Sequence, residues 1–308
     1  MLEVALMVEG QNGLNWPRWQ RMAHAAEDLG FVGLYRSDHF TNSQPPDIDS
    51  LELWVSLTWL AGHTQRIEFG QLVSPVSFRH PAFTARMASA VDDLSGGRLN
   101  LGMGAGWQER EHNAFGFDLL EVEQRFQRFE EGLQVVTRLL HSEQPVSLEG
   151  KYFQLREALL LPRPQRPGGP PIVVGGNGRR RTLPLVVGYA AEWNAVFLNR
   201  EKWTSLNAHL SELLQAAGRA PHSVRRTMML GTVFARDEAA LARKAAGRDL
   251  AELRERGVVC GPPAAAVEQL GGLAEAGVQR VMLQWLDLDD IAGLEVLAQR
   301  VLPQVSGG

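Results

Sequence analysis

Four short stretches of this sequence carry residue types that could do chemistry together, although they lie far apart in the chain. The first is Ser37-Asp38-His39-Phe40. A histidine titrates near neutrality and can pass a proton, while the adjacent carboxylate can orient a ligand. A capped loop holding a structurally satisfied histidine is the competing reading. The second runs from Gln71-Leu72-Val73-Ser74-Pro75 through Ser77, Arg79 and His80 to Pro81. Small hydroxyls and two prolines bend the backbone there, and its free amides and carbonyls could meet a planar heterocycle; a plain loop would look the same.

The third stretch is Gly102-Met103-Gly104-Ala105-Gly106-Trp107, followed by Glu109, Glu111 and His112. Glycines alternating with small residues let a backbone or a flat ligand approach closely, and Trp107 could wall a pocket. The spacing is not that of the dinucleotide-binding Gly-x-Gly-x-x-Gly pattern. The fourth is Gly175-Gly176-Asn177-Gly178-Arg179-Arg180-Arg181, leading into a helical pattern. Amides exposed at a helix amino terminus suit phosphate, and the arginines add charge. A tight turn with a solvated arginine run is the alternative.

Several chemistries lack their residues. There is no His-x-His, no His-Glu-x-x-His, no Gly-x-Ser-x-Gly and no Walker-type phosphate loop. The single cysteine, Cys260, rules out an internal disulfide and a cysteine-based zinc cluster, so no metal site is expected. A formal charge of -4 offers no basic surface for nucleic acid. No apolar run approaches the ~18 residues that cross a bilayer, and the start lacks the basic flank of a signal peptide. A cytoplasmic protein is expected.

The elements that must position these stretches alternate along the chain. Candidate strands are Val4–Val8, Phe31–Arg36, Ile67–Val73, Leu99–Met103, Ile172–Val174, Ala191–Ala195, Met228–Phe234 and Val281–Gln284. Most are continuous apolar runs, as in parallel strands buried on both faces. Helical spacing marks Trp16–Leu29, Leu51–Ala61, Pro81–Leu94, Val122–Leu140, Arg180–Val187, Glu201–Ala217, Glu238–Glu255 and Ala264–Ala276. Eight such alternations across 308 residues predict one α/β domain over 1–308, a closed (β/α)8 TIM barrel. A doubly wound open sheet is the less favoured arrangement. The segment 141–171 breaks the rhythm with a hairpin, Val146–Leu148 against Tyr152–Leu155, and a proline-rich run. Such an excursion predicts a lid or rim.

Taken together these loops resemble the bacterial luciferase-like monooxygenase superfamily, and within it the branch of F-420-dependent (deazaflavin) oxidoreductases. The resemblance is carried by Tyr35 to Phe40, by Leu94 to Trp107 and by Val173 to Gly178, with weaker support from Tyr189 to Asn194 and Gly261-Pro262-Pro263. It implies a (β/α)8 barrel with an insertion after the fourth helix, a small-molecule substrate and a homodimer. The coenzyme it implies is coenzyme F-420 (F420), or FMN in a luciferase-like monooxygenase. A non-catalytic flavin-binding barrel is a third possibility.

The same resemblance implies roles for residues. Asp38 and His39 would face the ring, with His39 catalytic as proton donor or acceptor. Gln71, Leu72 and Ser74 would lie against the ring, with a cis peptide at Gln71–Leu72. Ala105, Gly106 and Trp107 would flank it, and Gly175, Gly176, Asn177 and Gly178 would bind the phosphate. In the sugar-phosphate dehydrogenases of this branch an acidic catalytic residue follows the Gly-x-Gly of the fourth strand. Here Trp107 stands in that place, which implies a different substrate.

Overall fold

Strand pairing closes on itself in the computed structural model, which describes residues 1–306. The barrel strands are β1 (Glu3–Val8), β2 (Gly33–Arg36), β3 (Glu68–Gln71), β4 (Leu99–Gly104), β5 (Ile172–Gly175), β6 (Glu192–Val196), β7 (Arg225–Phe234) and β8 (Arg280–Gln284). Each pairs in parallel with the next, from β1 round to β8. The ring then closes through β8 on β1, where Val4 sits opposite Val281. This is the expected (β/α)8 barrel.

Alternation along the strands sorts the apolar residues into two layers. Ala5, Met7, Tyr35, Leu72, Val173, Met229 and Met282 fill the barrel interior. Val4, Leu6 and Val8 point the other way, into the larger core between strands and helices. Both faces are buried, so most of the strands read as hydrophobic runs.

The flanking helices are α1 (Trp16–Asp28), α2 (Leu53–His63), α3 (Pro81–Leu94), α4 (Val122–His141), α5 (Thr182–Tyr189), α6 (Arg200–Ala216), α7 (Pro263–Glu275) and α8 (Ile291–Arg300). Asn15 and Asn199 cap α1 and α6 by accepting from the amides of Arg18 and Lys202. Prolines occupy the first turns of α1, α3 and α7, where a missing N–H costs nothing.

Several local features depart from the sequence reading. The pattern over Glu238–Glu255 forms two helices, Glu238–Ala245 and Leu250–Glu255, separated where Ala246 and Gly247 turn left-handed at φ 50° and 78°. A further strand, Val258–Gly261, pairs with the outer half of β7. A short helix, Glu109–Phe115, follows β4. The third strand stops at Gln71, and Ser74–Pro75 then pairs with β4.

The insertion after α4 contains the expected hairpin, Val146–Glu149 against Gln154–Ala158. The Glu131 carboxylate of α4 holds its turn by accepting from the amides of Lys151 and Tyr152. Arg163 donates to the last carbonyls of α4, and Arg166 pairs with Asp92 of α3 at 2.9 Å. The segment 141–171 thus packs along α3 and α4, and none of its residues lines the cavity described next.

An ionic ring around a buried arginine closes the amino-terminal mouth of the barrel. Arg280 is 1% exposed and reaches Glu3 and Glu68, each at 2.7 Å, and the Tyr35 hydroxyl. Glu192 lies 4.0 Å from it.

Candidate active site

The carboxyl ends of the strands surround a cavity of about 630 Å³. That is a size common for small-molecule and cofactor pockets. Of the residues singled out in the sequence, His39, Leu72, Ala105, Gly106, Trp107, Gly175 and Gly176 line it. Segments separated by more than a hundred residues meet here because each follows a barrel strand.

The remaining candidates lie behind the wall. Asp38 is buried and forms an ion pair with Arg79, and it also accepts from the Ser74 hydroxyl. Both Asp38 and Ser74 therefore support the loop instead of facing the cavity. Gln71 is fully buried, and its side-chain amide has no partner in the chain. Asn177 spends its side chain on β6, donating to Val196 O at 2.8 Å and accepting from Val196 N at 3.0 Å. Gly178 opens α5 by accepting from the amides of Thr182 and Leu183. The non-proline cis peptide lies at Leu72–Val73, one residue later than expected. The arginine run turns to the surface, where Arg179 donates to Ser205 and Arg181 pairs with Glu123.

Glycines shape the floor. A Cβ on Gly104 would come within 2.5 Å of the Val73 side chain, and one on Gly175 within 3.0 Å of it. Val73 is thus wedged between the ends of β4 and β5. Gly106 and Gly176 adopt φ of 87° and 122°, which exclude ordinary side chains. The result is a surface without protruding side chains, suited to a flat ring.

His39 is held by a residue that the sequence did not single out for a role. Its Nδ1 lies 2.7 Å from Oε1 of Glu111, which is fully buried on the short helix after β4. The second Glu111 oxygen accepts from the Phe40 amide at 3.0 Å. An ionised carboxylate only accepts, so Nδ1 carries a proton and Nε2 is left unpaired in the chain. Burial is the largest influence on His39 and pulls its pKa down. The hydrogen bond and charge of Glu111, helped by Glu9 and Asp38, outweigh it and leave the pKa raised above the ordinary value. Trp107 stands edge-on to the imidazole, with ring centres 5.6 Å apart. His112, by contrast, is buried against Gln108 O and Ser77 Oγ, and burial lowers its pKa.

Two further groups give the cavity opposite charge at different places. Glu9, after β1, accepts from Gln284 at 2.6 Å and from Gln11 at 3.0 Å. Arg125, near the start of α4, donates to the carbonyls of Gly106 and Leu120, and its buried Nε has no partner. Arg125 is the one arginine or lysine among the lining residues, beside Gly106, Gly176 and Thr182. A guanidinium with an unsatisfied donor beside a helix start is what a phosphate needs. No local motif marks Arg125, and although Glu111 lies in the stretch after Trp107, only the facing of its short helix reveals its pairing with His39.

The fold and this rim of strand-end loops define a (β/α)8 barrel with a coenzyme-sized cavity at its carboxyl face. Residues 4–280 match the family described as luciferase-like monooxygenase, and the chain belongs to that family. Among curated relatives, an F420-dependent glucose-6-phosphate dehydrogenase of Kineococcus radiotolerans is 30% identical over 70% of this chain and 63% of its own length. An F420-dependent hydroxymycolic acid dehydrogenase of Mycobacterium tuberculosis is 33% identical over 71% of this chain and 59% of its own. A 4-hydroxyprotoasukamycin monooxygenase of Streptomyces nodosus subsp. asukaensis is 27% identical over 96% and 88%. The chain spans about three fifths of the length of the two dehydrogenases. Among solved structures, an F420-dependent secondary alcohol dehydrogenase superposes with a TM-score of 0.85 at 18% identity, covering 99% of both chains.

Proposed function

We propose that this protein is an F420-dependent oxidoreductase acting on a small organic substrate. The observation that carries the reading is the convergence of a glycine-rich floor, the Arg125 guanidinium and a Glu111-oriented His39 on one cavity. The F420-dependent relatives support the coenzyme assignment. When bound, the deazaflavin supplies two-electron hydride chemistry. The chain's own share is positioning and proton control. Leu72, Ala105, Gly106 and the Gly175-Gly176 turn would seat the ring, and Arg125 with the α5 start would hold the phosphate. Glu111 fixes a proton on Nδ1 of His39, so that Nε2 is free to exchange a proton with a substrate oxygen.

The test is a titration of the protein with F420 and with FMN, read by fluorescence quenching. Micromolar affinity for F420 with much weaker binding of FMN is expected. The reverse preference, with oxygen consumption by reduced FMN, would select an FMN-dependent monooxygenase instead. That second reading draws on the monooxygenase relative matched over 96% of this chain.

The protein would work as a homodimer. Helix α2 is apolar on nearly every face, and Val55 of α2 and Phe83 of α3 stand 56% and 66% exposed. A helix apolar all round is one that expects cover.

A further inference from the structure

Phe197 sits where a bulky residue is costly. It follows β6 with φ 51°, in the left-handed region where a Cβ crowds the following carbonyl. Three contacts impose that conformation. Asn177 clasps Val196 through both of its backbone polar groups, and the Phe197 amide donates to Met229 O at 2.9 Å. On the far side, a Cβ on Gly257 would come 2.5 Å from the Phe197 carbonyl carbon, so only glycine lets that backbone approach.

Packing does not repay the conformation. The Phe197 ring is 38% exposed and stands in the wall of the coenzyme-sized cavity. Strained backbone that neighbours over-determine, beside an exposed aromatic ring, marks a functional position.

The charges of the site restrict what that ring can meet. Arg125 is the one lysine or arginine in the cavity wall, and the proposed coenzyme phosphate would occupy it. Lys244 and Arg248 line a separate cleft of about 320 Å³ that shares Gln284 with the cavity. Lys244 is paired with Asp290, and Arg248 donates to the carbonyls of Ala245 and Lys244. Among the lining residues, the other group able to carry positive charge is His39, and Glu111 already holds it. Trp107, 62% exposed, adds a second aromatic surface to the same wall.

We infer that Phe197 is a specificity-determining wall of the substrate subsite, and that the substrate is an uncharged, largely apolar alcohol or carbonyl compound. This rests on the F420 reading above and narrows it to a substrate class.

The experiment compares wild type with Phe197→Gly and Phe197→Leu. It uses a series of 2-alkanols from 2-butanol to 2-octanol as oxidisable probes, and glucose 6-phosphate as the anionic probe. In wild type, kcat/KM is expected to rise about fourfold per added methylene, the size of one buried methylene. Phe197→Gly flattens that series and costs the longest alcohol at least about tenfold, and Phe197→Leu recovers part of it. The F420 dissociation constant stays within about twofold. The melting temperature of the coenzyme-free protein does not fall, because glycine adopts the required backbone freely.

Three results would overturn the inference. One is a melting temperature lower by more than about 4 °C, which makes the ring a packing residue. Another is a weakened F420 affinity with an unchanged alcohol series. The third is turnover of glucose 6-phosphate in preference to every alcohol, or of no alcohol at all, by F420-loaded wild type. Failure of wild type to quench F420 fluorescence sinks the coenzyme reading instead. The alcohol and matching 2-alkanone series is then run on FMN-loaded protein with oxygen uptake as readout, where the same flattening supports the role of Phe197 and its absence refutes it.

Discussion

At the scale of single residues, the His39–Glu111 pair makes the sharpest demand. Glu111 supplies the largest influences that raise the His39 pKa, whereas burial alone would lower it. Replacing Glu111 by Gln should therefore move the His39 titration to lower pH. The measurement is the pH profile of kcat/KM, supported by the imidazole NMR shift; an unmoved profile means Glu111 does not govern His39. Stability follows the same sign. A histidine whose folded pKa is raised contributes stability that is full below its unfolded pKa of about 6.5 and is lost as pH rises through the folded value. The melting deficit of Glu111→Gln should accordingly be larger at pH 5.5 than at pH 9. For His39→Ala, a loss of about a hundredfold or more in kcat with F420 affinity preserved fits the usual gain from acid–base catalysis. Arg125 carries a separate prediction. Arg125→Ala should weaken F420 binding by at least about tenfold, yet leave the riboflavin-level deazaflavin, which lacks the phosphate, unaffected; equal losses for both would remove the phosphate role. His39 was legible in the sequence because its type and its place after a strand both spoke for it. Arg125 was not, nor was the role of Glu111 behind His39, because each acts from a helix whose facing depends on packing against the barrel.

At the scale of elements, what the sequence revealed followed from hydrophobic runs. Most of the eight barrel strands lie in apolar runs, and each was found within a few residues of its observed bounds. The helix Glu109–Phe115 escaped because only Ala114 and Phe115 among its seven residues are apolar. Helix α8 was missed too, its ten residues being short for a periodic signal. The split of Glu238–Glu255 turns on Ala246 and Gly247 entering the left-handed region, which the helical spacing does not announce. The ring at the amino-terminal mouth was equally hidden, since Glu3, Glu68, Glu192 and Arg280 come from four strands. Its arginine is nearly inaccessible, and removing it takes a buried cation from beside the buried Glu192 carboxylate. Arg280→Met should destabilise the fold by about 3–5 kcal/mol, as breaking buried ion pairs commonly does. Denaturant unfolding would show this as a lowered midpoint, and an unchanged midpoint would mean that Arg225, paired with Glu3 and near Glu68, suffices alone.

At the scale of the whole molecule, the apolar faces that the barrel leaves uncovered point to a second copy of the chain. Leu53, Leu57 and Leu60 of α2 pack inward, but Val55 remains on its outer face, and the neighbouring α3 presents Phe83 and, at its end, Leu94 at 56% exposure. Within α2 the outer face offers few polar groups to hold water, since Leu53–His63 contains no carboxylate, lysine or arginine. Burying such a face in a standard interface removes roughly 800 Å² per partner from water, an area sufficient for stable association. Wild type should therefore elute from size exclusion, with light-scattering detection, at twice the 34.0 kDa chain mass. Phe83→Glu places a charge in the middle of that contact and should shift the mass toward a single chain. Because Phe83 is absent from the cavity wall, F420 affinity should survive the change. A wild type that runs as a single chain at micromolar concentration would show that α2 and α3 face water after all, and their apolar surface would then need another occupant.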